Sequence, residues 1–283
     1  MVARFAILLL LAVGAFAQPR RIVSTAPSIT EMLYALGLGD RVVGVTTFCH
    51  YPPEAARKPK IGNYLRPDVE AILALRPDLV IAEKSMVQQA MSLPRLKLNV
   101  LEVDDSTVQG IYQSIRTIGH STGAAAKAEA VSGGIQKELE SIRQRSARLP
   151  RVRVLFVVGR TPGRIEDLIA AGSSSYLNEV MEIAGGRNVL GDAVIAYTKV
   201  SLEEVLSRDP DVIIDMGEMA QTIGITAEQK RAVALLWRRY PNLKAVRTNK
   251  VFAVASDLFV VPGPRVTDAA RQLAGLLHPE MAP

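Results

Sequence analysis

Reactive and metal-seeking side chains are scarce in this chain of 283 residues, which holds one cysteine, Cys49, and three widely separated histidines, His50, His120 and His278. A single cysteine excludes an internal disulfide, and a lone thiol most often serves as a small buried hydrophobe. Three scattered histidines do not make a zinc or manganese cage, which gathers several imidazoles and carboxylates at one place. Aromatic residues are only 5% of the chain, and its formal charge of +6 is spread over Lys and Arg set among acids. The basic block interleaved with aromatics that marks a nucleic-acid groove is therefore missing. So are the Walker phosphate loop, a G-x-G-x-x-G after the first strand run, the H-E-x-x-H helix and the G-x-S-x-G elbow. A small exported enzyme would have to rest on the one acid–base pair in view, Asp257 with His50, and no enzyme is expected.

What the chain does contain begins at its N-terminus. Arg4 precedes "FAILLLLAVGAFA", and Ala15-Phe16-Ala17 fits the small-x-small rule of signal cleavage, so residues 1–17 read as a signal peptide. The run is too short to span a bilayer comfortably, and no cysteine stands at the cleavage point to take a lipid anchor. An exported protein that resides in the periplasm is expected.

Beyond the signal segment, 48% hydrophobic residues suffice for two cores. Short β-branched runs, "IVSTA", "VVGVTT", "LVIA", "NVLEVD", "VRVLFVVG", "DVIIDM" and "KVFAVA", alternate with helical patterns, the signature of a parallel sheet with crossover helices. "LVIA" and "NVLEVD" read as strands buried on both faces. Ser28-x-x-Glu31 reads as a capping box opening the first helix. Residues 121–149 carry no strand signal and are rich in strong helix formers, predicting one long helix. Two phrases then match across the chain: "EAILALRPDLVI" from Glu70 and "EEVLSRDPDVII" from Glu203. The expected fold is α/β, with two Rossmann-like lobes joined by a long helix and a ligand cleft between them. Its divisions are residues 18–120, 121–149 and 150–283.

In open parallel sheets ligands bind beyond the carboxyl ends of the strands. The segments placed there bring Phe48, His50, Tyr51, Tyr64 and Phe259 together with Glu83, Asp257, Arg66, Arg160, Arg164 and Arg265. Flat apolar faces with polar tips, set among charges, suit a large and partly apolar small-molecule ligand.

Taken together, "RIVSTAPSITE", "VVGVTTFCHYPPEA" and "VEAILALRPDLVIA" resemble the periplasmic substrate-binding proteins of ABC importers for cobalamin, haem and ferric siderophores. The resemblance covers the whole mature length and is nearest to the cobalamin branch. It implies a carrier rather than an enzyme, holding cobalamin or a ferric siderophore as cargo and no cofactor. It also implies a monomer that docks on a permease dimer with its ATPase subunits. Glu70 and Glu203 match the two glutamates that pair with permease arginines in that family. Tyr51 matches a tyrosine lying against the corrin, and Asp257 an aspartate at the ligand's polar edge. Tyr64, Leu258 and Glu83 stand where that branch has tryptophans, so the pocket is less aromatic than the branch pattern. The neighbouring arginines, Arg164 and Arg265 among them, would suit an anionic siderophore, and Tyr51, Tyr64 or His50 would suit haem iron.

Overall fold

The computed structural model describes residues 18–84, 97–217, 224–254 and 257–282; the signal segment expected over residues 1–17 lies outside them. The first half builds strands β1 (Ile22–Ser24), β2 (Val42–Val45), β3 (Leu79–Glu83) and β4 (Val100–Val103), with helices α1 (Pro27–Ala35), α2 (Pro53–Ala56), α3 (Val69–Ala74) and α4 (Val108–Thr122). The four strands are parallel in the order β2-β1-β3-β4. The β-branched runs that predicted them are these strands. One expectation fails: β4 is an edge strand, with only Val103 buried, because among the described residues no strand pairs with its outer side.

The second half holds β5 (Val152–Gly159), β6 (Leu168–Ala171), β7 (Gly186–Asn188), β8 (Tyr197–Val200), β9 (Val212–Asp215) and β10 (Val251–Ala253). Its helices are α6 (Tyr176–Ile183), α7 (Leu202–Arg208), α8 (Ala227–Trp237), α9 (Lys244–Arg247) and α10 (Val266–Leu277). The sheet order is β10-β9-β5-β6-β8, with β7 paired to the start of β5. The parallel pattern breaks at β6, which runs antiparallel to β5 on one side and to β8 on the other; β6 and β8 are the strands that sequence did not announce. Both are four residues long, too short for alternation to announce them.

Between the halves lies α5 (Ala125–Ser146), 22 residues long and so about 33 Å at 1.5 Å per residue. It is shorter than the helix expected over residues 121–149. Gly123 adopts φ +75° and closes α4, a left-handed turn that glycine takes without a Cβ clash. The helix therefore restarts at Ala125. One apolar core runs from Ile22 and Ile29, past Leu139 and Ile142 of α5, to Phe156, Leu177 and Leu273. The lobes thus share buried surface through the helices instead of meeting only at a linker.

The capping box at the start of α1 does not form. Ala26 is the N-cap and makes no side-chain bond, and Pro27 occupies the first turn, where its fixed φ already suits a helix. Ser28 and Glu31 are released for other partners.

The repeated phrases are one joint built twice. In each, the residue before the proline takes a left-handed φ, Arg76 at 45° and Asp209 at 38°. The aspartate after it accepts backbone N–H groups from the neighbouring strand segment: Asp78 from Arg20 and Arg21 at 2.9 Å, Asp211 from Arg153 at 3.0 Å. The same strand then supplies a guanidinium to the last carbonyls of the helix. Arg21 donates to Leu75 and Arg76, and Arg153 to Arg208 and Asp209. Carbonyls left open at a helix end are satisfied in the same way in both lobes.

Candidate functional site

The carboxyl ends of β1, β3 and β4 bring four polar side chains together. Ser28 lies in the first turn of α1, Glu83 is the last residue of β3, and Asp104 and Asp105 follow β4. The Tyr64 hydroxyl donates to Glu83 Oε2 at 2.5 Å, and the Ser28 hydroxyl donates to Oε1 at 3.2 Å. Asp105 is 4% exposed and lies against Ser28 and Glu83. Its Oδ2 has no partner among the described residues. Burial, then the charge of Glu83, pushes the Asp105 carboxyl up to about 8. Burial likewise raises Glu83, against the bonds from Tyr64 and Ser28. Asp104 is held low by the hydroxyl and amide of Ser106.

Facing this edge is Arg265, just ahead of α10. Its Nε donates to Glu31 Oε2 at 3.0 Å and its Nη2 to Asp257 Oδ2 at 2.9 Å, so it joins an acid of the first lobe to one of the second. The Tyr51 ring lies over the guanidinium, 4.0 Å from its centroid, a contact worth about 0.5–2 kcal/mol. Burial, the larger effect, pushes Glu31 up to about 7 against the pull of Arg265. Burial works to lower Arg265, but its two acids together outweigh it and raise the guanidinium further above the ordinary arginine range. The guanidinium therefore stays charged, and the pair loses charge only from the Glu31 side. Beneath them Tyr176 is buried and donates its hydroxyl to the Phe259 carbonyl. Burial pushes its phenol well up, helped by the neighbouring Tyr197, Asp105 and Glu31 and opposed by Arg265.

The residues expected from sequence divide as follows. Glu83 with Tyr64, and Asp257 with Arg265 and Tyr51, lie in these clusters. Half-buried His50 precedes Tyr51 in the loop after β2. Arg164 makes a surface pair with Glu166 at 3.4 Å, both side chains being more than half exposed. Arg160 does not face a ligand: it is 3% exposed and bonded at 3.0 Å to buried Asp215, which also accepts from the Trp237 indole at 2.7 Å. Phe259 is a core residue set edge-on to Phe156 at 5.6 Å. Cys49 is buried, accepts a hydrogen bond from Thr30, shares another with Thr46, and has its thiol pushed up by burial, so it is packing and not a nucleophile.

Sequence reasoning missed Glu31, Asp105, Tyr176 and Tyr197. The position of Asp105 just past a strand end was the available signal for it. Glu70 and Glu203 are both exposed and occupy the same place, the second residue of α3 and of α7. Each follows a capped start, with Asp68 accepting from the amide of Ala71 and Ser201 from that of Glu204. A separate groove of about 590 Å³ lies among α4, α5 and α6, lined by Tyr112, Gln136, Arg143 and Glu179; it touches none of these strand ends.

Two lobes whose strand ends close on one charged floor, with aromatic side chains on its rim, define a two-lobed binding protein with its ligand cleft between the halves. The chain belongs to the periplasmic binding protein family, which it matches over residues 22–258. It is 31% identical over 272 residues to an uncharacterised ABC transporter substrate-binding lipoprotein of Bacillus subtilis, covering 93% of this chain and 81% of that protein. It is 28% identical over 260 residues to the vitamin B12-binding protein of Vibrio cholerae, covering 91% of this chain and 88% of that protein. Among solved structures, the periplasmic vitamin B12-binding protein of Vibrio cholerae superposes with a TM-score of 0.78 at 27% identity, over 92% of this chain and 97% of that one. A periplasmic haem-binding protein of Roseiflexus superposes with a TM-score of 0.77 at 26% identity, over 93% and 99%. Proteins of this family work as the substrate-binding components of ABC importers. No helix among the described residues is long and apolar enough to cross a membrane.

Proposed function

We propose that the chain captures a corrinoid in the periplasm and delivers it to an ABC permease. The observation that carries this reading is the convergence of Tyr51, Arg265 and Asp257 on the cleft floor. Tyr51 and Asp257 are the positions that the resemblance assigns to the corrin face and its polar edge. Similarity to vitamin B12-binding relatives in both sequence and fold supports it. Tyr51 is 45% exposed, so a large planar ring system would have an aromatic surface to rest on while its polar substituents reach the floor. No bond is made or broken in this chain, and ATP hydrolysis on a partner supplies the energy. Residues 1–17 would be removed on export, and the mature chain would act as a monomer with lobes 18–120 and 150–283 joined by 121–149. Because the core continues through α5, lobe motion on binding would be small.

Glu70 and Glu203 would present equivalent charges to two permease subunits related by symmetry. Such rim charges mainly steer approach and fix register. Trp237 is fully buried on Asp215, away from the cleft residues, so titration calorimetry is a better assay than tryptophan quenching. Cyanocobalamin should bind the purified mature chain with a Kd of micromolar or below. Absence of heat with cyanocobalamin, together with tight binding of haemin, would replace the corrinoid by haem.

A further inference from the structure

We propose that the edge of the first sheet, Glu83 backed by Asp105, is a subsite for a ligand group rich in N–H donors, a primary amide or an ammonium, and that the cleft rejects polyanionic cargo. This inference rests on the binding-protein reading and assigns the chemistry of its floor. Glu83 is half-buried at the end of β3, so it is reachable from the cleft. Each of its carboxylate oxygens takes one hydroxyl hydrogen bond, from Tyr64 and from Ser28. A carboxylate oxygen has room for about two donors, so each retains a place for an incoming N–H. Behind it Asp105 is directed at Ser28 and Glu83, almost wholly buried, with Oδ2 unpartnered among the described residues. A buried polar atom left open is costly unless a partner arrives. Asp105 keeps its proton up to about 8, so Glu83 is the charged member of the pair, and a carboxylate there favours a donating group and opposes an anion.

Three of the arginines expected at the cleft are already engaged, whereas Arg66 is exposed. Arg265 is bonded to Glu31 and Asp257, Arg160 to Asp215, and Arg164 to Glu166. Lys84, exposed beside Glu83, acts on Asp104. The floor therefore sets Glu31, Glu83, Asp105 and Asp257 against the guanidinium of Arg265. Recognition of a carboxylate or catecholate ligand by Arg160 or Arg265 would require breaking one of these pairs.

Calorimetry with four probes tests this. Cyanocobalamin carries neutral primary amides, ferrioxamine B a pendant ammonium, haemin two propionates, and a ferric tris-catecholate several negative charges. Cyanocobalamin or ferrioxamine B should bind at least 100-fold more tightly than either anionic probe. Glu83→Gln and Asp105→Asn, with folding verified by circular dichroism, should each weaken the preferred probe at least tenfold and narrow its advantage over haemin. Loss of that selectivity is a readout that simple loosening of the site would not give. Tighter binding of haemin or the catecholate to the wild type overturns the proposal, as does affinity within twofold of wild type in both variants. If ferrioxamine B binds and cyanocobalamin does not, the corrinoid reading falls and the subsite stands. If none of the four binds, both fall.

Discussion

Replacing Arg265 by methionine should destabilise the protein strongly at high pH and weakly at low pH. The substitution keeps much of the aliphatic bulk and removes the guanidinium that links Glu31 to Asp257 across the cleft. Glu31 is then left 3% exposed without its partner, whereas Asp257 at 20% can still find water. Breaking a buried ion pair from one side costs about 3–5 kcal/mol. The native Arg265 keeps 15% exposure, so the lower end, about 3 kcal/mol, applies where Glu31 is ionised. Burial already lifts the Glu31 carboxyl to about 7. At pH 5.5 it therefore carries a proton with or without Arg265, and only neutral hydrogen bonds and packing are lost, about 1 kcal/mol. At roughly 2–4 °C per kcal/mol for a chain of this size, Tm should fall by about 6–12 °C at pH 8.5 and by about 2–4 °C at pH 5.5. Differential scanning calorimetry of the wild type, Arg265→Met, Glu31→Gln and the double variant would measure it. The double variant should recover much of the loss at pH 8.5, since the stranded charge is gone. An equal drop at both pH values, or a double variant no more stable than Arg265→Met, would refute the reasoning.

Three further outcomes are expected. Asp105 holds its proton up to about 8 in the folded chain against a reference of 3.8; the folded state binds more protons between those values, so its contribution is full below about 4 and declines as pH rises towards 8. Tm of the wild type should therefore fall between pH 5 and 8, with a shallower slope in Asp105→Asn; equal slopes would remove Asp105 as the cause. Asp215→Ala strands the buried Arg160 guanidinium and frees the Trp237 indole, costing about 3–5 kcal/mol, and urea unfolding within 1 kcal/mol of wild type would contradict it. Glu70→Arg combined with Glu203→Arg should reduce ligand uptake into vesicles carrying the permease at least tenfold while Kd stays within twofold; unchanged uptake would end the docking assignment.

Much of the architecture was readable because its strands are written in β-branched runs and its last helix begins and ends where the apolar period does, at Val266 and Leu277. The four-residue strands β6 and β8 were not, since two apolar positions on either face are too few to declare a period. The floor was half legible. Strand-end position marked Glu83, and a loop after a strand marked Tyr51. Glu31 was hidden because S-x-x-E has the same local pattern whether it caps a helix or reaches elsewhere. Its partner lies 234 residues away, beyond any window of sequence. Arg160 failed in the opposite direction: a loop arginine near a strand end looks available until Asp215, 55 residues on, is seen to hold it.

The twin proline joints have a mechanical consequence. Each clamps a helix end to the strand beside it, through the guanidinium of Arg21 in one lobe and of Arg153 in the other. The acid two places into that helix is thereby bolted to its own sheet and cannot drift with a loop. The span from Glu70 to Glu203 works as a caliper, whose jaws report any tilt of one sheet against the other to whatever surface touches both tips.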